Sequence, residues 1–371
     1  MKMRRFRALF ILIAAVISFA ACEDPQVEVP VIQGQIVLTS DVEQIRCDGT
    51  DAVTFTVTVT DADGKEHDVT EYSQIYETGT KWLMADGQFT TDADGEYVFY
   101  AVYGLALSNE LSIKAVNDIP ELPADPQEES ILFKHRMLLV QHTGAMCSNC
   151  PRMMDILKEL GADEQYSQLY HHVASHSYND GEGDEAYSEA ARNLSMVCNT
   201  SGLYPMLTFN LSTVAVGTDM QEIKSLIDQH KKAEADAGIA ASAKFSGDDI
   251  LVNIEVKAAK ANDYRVAAWI LEDGIQGIQA GMTESWHNMH DNALRYMAGA
   301  VSQFSFVGEK VGSLASGGKA DKMFVIPAEE TWVKDNCEVL VFVTAADANG
   351  NYDIVNCALC EIGGTVSYDY K

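Results

Sequence analysis

The sequence predicts an α+β chain of several domains, with a β-sandwich at each end and an α/β layer structure between them. Three observations predict it. Residues 53–59 (Val-Thr-Phe-Thr-Val-Thr-Val), 97–103 and 111–113 alternate apolar and polar residues with period two, the mark of half-buried strands. Between Met137 and Ile227, short apolar runs alternate with segments whose apolar residues recur at helical spacing. After Gly238 the pattern returns to strands.

The first residues read as an export signal. Lys2, Arg4, Arg5 and Arg7 form a basic patch, and Ala8–Ala21 is uncharged and mostly apolar, shorter than the ~20 residues that span a bilayer. The run ends Phe19-Ala20-Ala21-Cys22, which resembles a bacterial lipobox with Phe19 in a position that more often carries Leu. The expectation is cleavage before Cys22, lipid on that cysteine, and a protein anchored to a membrane rather than spanning it. Residues 22–33 then form an acidic tether. Removing residues 1–21 takes the formal charge from −29 to −33, with 55 acidic against 22 basic residues. Such a surface repels phosphate backbones, so no nucleic acid is expected as a partner.

Residues 34–116 are expected to form an Ig-like β-sandwich. Asp61-Ala-Asp-Gly64 and Asp92-Ala-Asp-Gly95 separate its strands; they lack EF-hand spacing and read as turns. Cys47 is expected to be a packed, inert thiol. Residues 117–130, with three prolines and five acids, are a linker by composition.

In residues 131–237, Met137–Val140, Leu169–Ala174 and Met206–Leu211 read as strands. Met153, Leu157 and Leu160, then Tyr187, Ala190, Ala191, Leu194 and Val197, then Met220, Ile223 and Ile227, give three helices apolar stripes. Thr218 with Gln221 resembles a capping box for the last. Residues 238–371 carry strand patterns at 250–256, 264–271, 323–326, 339–343 and 354–360, with Asn349-Gly350 turning between the final two. A C-terminal β-sandwich is expected there.

The chemistry-bearing segment is Thr143-Gly144-Ala145-Met146-Cys147-Ser148-Asn149-Cys150-Pro151. A buried strand leads into a loop, Cys-x-x-Cys and a helix. Unpaired N–H groups and the positive dipole end at a helix start favour thiolate, the form that reacts. The second cysteine lies close enough to resolve a mixed disulfide, and Pro151 suits the first helical turn. Taken with the lipobox, the Tyr204-Pro205 segment and the β-rich C-terminal part, the motif resembles the thioredoxin-like outer-membrane lipoproteins related to the twenty-eight-kilodalton outer-membrane protein. That resemblance implies a thioredoxin-like central domain, a cis-proline at Pro205 facing the dithiol, and outer-membrane residence facing periplasm or surface. Two positions depart from the pattern: Met146 replaces an aromatic residue, and Gln141 replaces a buried acid.

The expected fold class is therefore α+β multidomain: N-terminal Ig-like β-sandwich, central thioredoxin-like α/β domain, C-terminal β-sandwich. The expected function is thiol–disulfide exchange on exported proteins, with Cys147 attacking, Cys150 resolving and Pro205 contacting substrate backbone. The alternative is a non-enzymatic surface-binding or adhesion lipoprotein that uses the fold as a scaffold. A third reading, metal handling by the dithiol, is carried with them. No cofactor is expected. His171, His172 and His176, and His287, His290 and Asp291, invite a metal reading, but their spacing matches no strong motif and ordinary polar duty is the expectation. Trp286 and Arg295 read as a packing or partner surface. Cys198 extends the apolar face of its helix. Cys357 and Cys360 point to opposite faces of a strand, and a bridge between Cys337 and Cys360 across the hairpin is conceivable.

Overall fold

The computed structural model describes residues 32–371 apart from Ala85, Val301, Gln303 and Phe304. The expected signal, Cys22 and most of the tether lie outside the described residues. Contacts group the chain into two compact units: one holds residues through Asp41 with Thr54–Phe89 and Tyr97–Ser112, the other Val42–Val53, Thr90–Glu96 and Ile113–Lys371.

Strands β1 (Gln35–Ser40), β2 (Gln44–Arg46), β3 (Val53–Thr60), β4 (Glu66–Asp68), β5 (Gln74–Glu77), β6 (Gln88–Phe89), β7 (Gly95–Tyr103) and β8 (Ala106–Val116) fill the N-terminal third. The period-two reading holds: Phe55, Val57 and Val59 of β3 are buried while Thr54 is exposed. β1 runs antiparallel to β3 and β5 antiparallel to β7. Phe55 packs on Phe99 with ring centroids 4.7 Å apart.

The larger unit continues with β9 (Met137–Thr143), α1 (Pro151–Ala162), β10 (Tyr170–His176), α2 (Glu189–Cys198), β11 (Met206–Phe209), β12 (Thr213–Val216) and α3 (Met220–His230). It then runs through β13 (Ala237–Ser246), β14 (Asp249–Ala258), β15 (Asn262–Glu272), β16 (Ile275–Gln276), β17 (Met289–His290) and β18 (Ala293–Ala298). The last strands are β19 (Glu309–Leu314), β20 (Lys319–Pro327), β21 (Cys337–Ala346), β22 (Tyr352–Glu361) and β23 (Thr365–Val366). The cap of α3 is Asp219, not Thr218: its carboxylate accepts the N–H groups of Gln221 and Glu222.

The expected fold class, α+β with a thioredoxin-like α/β domain between two sandwiches, is corrected here. The chain is predominantly β, with three α-helices among the described residues. The strands assigned to a central domain do not close on themselves. They form one end of a nine-stranded sheet ordered β12-β11-β9-β10-β18-β15-β21-β22, with β19 also on β15. The physical reason lies in β10, whose last four residues, Val173–His176, are all buried. Its edge away from β9 would leave backbone groups unpaired. Instead Ala174 pairs in parallel with Ala293, and its N–H donates to the carbonyl of Asn292 at 2.8 Å.

β15 shows why the sheet continues. Val266, Ala268 and Ile270 enter one core, facing the four-stranded sheet β20-β14-β13-β23. Ala267, Trp269 and Leu271 enter another, shared with Leu138, Val140 and α2. A strand buried on both faces belongs in the interior of a sheet. On the far side of β9, Met137 and Leu139 pack beneath α1 and α3. Each buried Val, Ile, Leu or Met among these contributes ~1.5–3 kcal/mol.

The compositional linker is docked, not free. The carbonyl of Pro120 accepts from Ser242 and Asn253, each at 3.0 Å. Asp125 pairs with Lys257 at 2.8 Å with both side chains almost fully buried.

Candidate functional site

Strand β9 sits between β10, parallel to it, and β11, antiparallel to it, and all seven of its residues are buried. It delivers the chain to the loop 144–150. Gly144 is required by close approach, because a Cβ there would stand 2.6 Å from Cβ of Tyr178. The loop is wound by Cys147 N–H donating to Gly144 and Cys150 N–H donating to Cys147, at 3.0 and 3.1 Å. Cys150 directly precedes α1, with no cap bond from its side chain, and Pro151 opens the first turn. Cys147 and Cys150 are joined in a disulfide, with Cα atoms 5.4 Å apart.

The Tyr204–Pro205 bond is cis. Met206 pairs with His142, so Pro205 stands at the end of β9 from which the disulfide loop departs. Ser177 and Tyr204 share a hydroxyl hydrogen bond of 3.1 Å that holds the segment in place.

A buried acid supports the loop from a direction the sequence did not indicate. The Asp184 carboxylate accepts from Ala145 N–H at 2.8 Å, from Ala186 N–H at 3.0 Å and pairs with His176 Nδ1 at 2.9 Å. Burial pushes this carboxyl upward, but the hydrogen bond and charge of His176, with the two N–H groups, outweigh it and hold the pKa at about 2.

The disulfide is covered. Cys147 is 3% exposed and Cys150 fully buried. The cover is a strap, residues 277–288. Gln279, itself buried, aims its amide nitrogen at the carbonyls of Ala145 and Cys147, each at 3.0 Å, and the Ala280 N–H donates to Ala145. Gly281 has φ of +71°, and a Cβ on it would stand 2.1 Å from the Ser148 carbonyl oxygen. Only glycine meets both demands. The strap's far end grips α1: His287 meets Asp155 at 3.0 Å, and Lys158 lies 4.0 Å over the Trp286 ring. Nothing in Gly-Ile-Gln-Ala-Gly-Met at 277–282 signalled this role, since it reads as an ordinary loop.

Of the remaining sequence candidates, His172, His176, Trp286, His290 and Asp291 line one hollow beneath α1. His171, His172 and His176 lie on β10, His287 on the strap, His290 on β17 and Asp291 just after it. Among the described residues no three His, Cys, Asp or Glu side chains are grouped to hold a metal ion. Arg295 pairs with Glu272 at 3.2 Å inside the fold. Cys337 and Cys360 are free thiols, because the register sets Cys360 opposite Val339. Cys357 and Cys360 enter different cores, as their spacing requires. Burial pushes Cys198 and Cys360 up to about 11 and Cys337 and Cys357 up to about 12, which removes them from thiolate chemistry. Cys47 is half-buried.

Fold and site together define a β-rich protein carrying one strapped disulfide at a helix start. Residues 192–362 match the family described as outer membrane protein Omp28, a relation to outer-membrane proteins that begins in α2, past the disulfide. No curated protein matches the chain. Among solved structures, HBP35 of Porphyromonas gingivalis is similar over 62% of this chain and 76% of its own, at 16% identity and a TM-score of 0.50. A protein from Agrobacterium tumefaciens covers 64% of this chain and 99% of its own at 17% identity, with a TM-score of 0.39. At 16% identity the likeness to HBP35 speaks to fold alone.

Proposed function

We propose that this chain is an outer-membrane lipoprotein, anchored through Cys22, that performs thiol–disulfide exchange on exported proteins through Cys147 and Cys150. The observation that carries the reading is the disulfide at the first turn of α1, set at the strand end where the cis Pro205 stands. In the reduced form the Cys147 thiolate attacks a partner disulfide, and the partner's second sulfur leaves as thiolate. Cys150 then attacks Cys147 as a thiolate, releasing the partner reduced and this chain oxidised, the form described above. The reverse direction runs the same bonds backwards. Pro205 would contact the partner's backbone. Because Cys147 is 3% exposed, exchange requires residues 277–282 to lift first.

The test is capture. Cys150→Ser should accumulate mixed disulfides with exported proteins, and Cys147→Ser should not. If no partner is captured and Cys147→Ala leaves the disulfides of exported proteins unaltered, the reading fails.

The burial of Cys147 favours a second reading, in which the disulfide is a staple in a non-enzymatic surface-binding protein. That protein would keep its partner when both cysteines become serine.

A further inference from the structure

Beneath α1, and separate from the disulfide, lies a cavity of about 320 Å³. This is the small end of the ~300–1,000 Å³ range typical of ligand pockets. Its polar wall is made by β9, β10 and the strand after the strap. There Gln141 Nε2, His172 Nε2 and His290 Nε2 are buried without a hydrogen-bond partner. Gln141 is 3% and His290 2% exposed. Its apolar wall is made by Met154 and Leu157 of α1 and by Trp286. Lys158, over the Trp286 ring, adds an ammonium group to the same lining.

Three orphaned nitrogens on one wall are an expensive arrangement, since each has given up its hydrogen bonds to water and gained none from the protein. The Gln141 nitrogen can only donate, so an acceptor brought by a ligand would satisfy it. The Gln141 amide has two N–H groups to give. Burial keeps His172 and His290 neutral, with pKa values held down to about 4, so each ring carries a single N–H, which the tautomer protonated at Nε2 turns into the cavity; the His290 ring also meets the backbone of Gly277. The carboxylates at hand leave these nitrogens unpaired: Asp184 is engaged by His176, Ala145 and Ala186, and Asp291, itself part of the lining, accepts from Gly274 N–H. Lys158 then gives the cavity a positive group on an otherwise strongly acidic chain.

We infer that this cavity binds a small organic carboxylate, with its oxygens accepting from Gln141, His172 and His290 and its hydrocarbon body against Met154, Leu157 and Trp286. Volume limits the ligand to roughly ten to fifteen non-hydrogen atoms. Nothing in this inference depends on thiol exchange, and the two fail separately.

The experiment is titration calorimetry of the anchorless chain with butyrate through octanoate and with benzoate, alongside imidazole NMR. One-to-one binding is expected, with the His172 and His290 resonances moving. Gln141→Leu should weaken it about tenfold by removing a donor to a charged group. Ala174→Leu fills the cavity while keeping all three donors, and should abolish it. The Cys147→Ser, Cys150→Ser double variant should bind as the parent does. The inference is overturned if none of these carboxylates binds at millimolar concentration, or if binding is undiminished in Gln141→Leu and Ala174→Leu. Should either variant misfold, the other and the NMR assignment decide.

Discussion

The side-chain nitrogen of Gln279 lies 3.0 Å from the carbonyl oxygen of Cys147, tying a loop of the C-terminal half to the disulfide of the first. Gln279→Leu leaves the Ala145 and Cys147 carbonyls without that donor at a cost of about 1–3 kcal/mol. The strap should open more often, and reduction of the disulfide by dithiothreitol should quicken by about tenfold. Timed alkylation of Cys147 reads this directly; an unchanged rate would mean the strap does not limit access.

Gly281→Ala should act in the same direction and more strongly. Its new Cβ meets a backbone oxygen, which cannot rotate away, in a backbone conformation that alanine avoids. Hydrogen exchange at residues 277–288 should rise while protection in β15 stays as it was.

Acid should weaken the fold in two stages. His135, His142, His171, His172 and His290 are each held down to about 4 by burial. Their unfolded values lie near 6.5. Between those values the unfolded chain binds more protons, so stability is full above about pH 6.5 and falls toward pH 4, by up to about 1.4 kcal/mol per pH unit for each histidine. Asp184, with a folded pKa of about 2, adds a second loss between about pH 4 and pH 2. Urea midpoints against pH should show the first stage in wild type and a smaller second stage in Asp184→Asn.

Asp125→Ala strands the ammonium of Lys257 in a nearly dry site, a loss of about 3–5 kcal/mol. Residues 117–130 should then become cleavable by proteases that leave the wild-type segment intact.

The sequence disclosed what is local. Alternation named β3 and β7, the stripe at Met153, Leu157 and Leu160 named α1, and the Cys-x-x-Cys before Pro151 located the disulfide at a helix start. It misjudged what depends on distant pairing. The contact of β10 with β18 joins Ala174 to Ala293, and no periodicity reports a partner more than a hundred residues away. The strap was unreadable for the same reason: Gln279 matters because of whose carbonyls it meets, not because of its neighbours. Composition names residues 117–130 a linker, but three prolines describe stiffness and say nothing about docking.

The unbroken sheet has a practical consequence for anyone dissecting this chain. A fragment cut at residue 237 would carry β9 to β12 away from β18 and leave one side of β10 bare. Such a raw margin recruits other chains. Excised pieces should therefore clump, and a fragment meant to fold needs every strand from β9 to β22 in one piece.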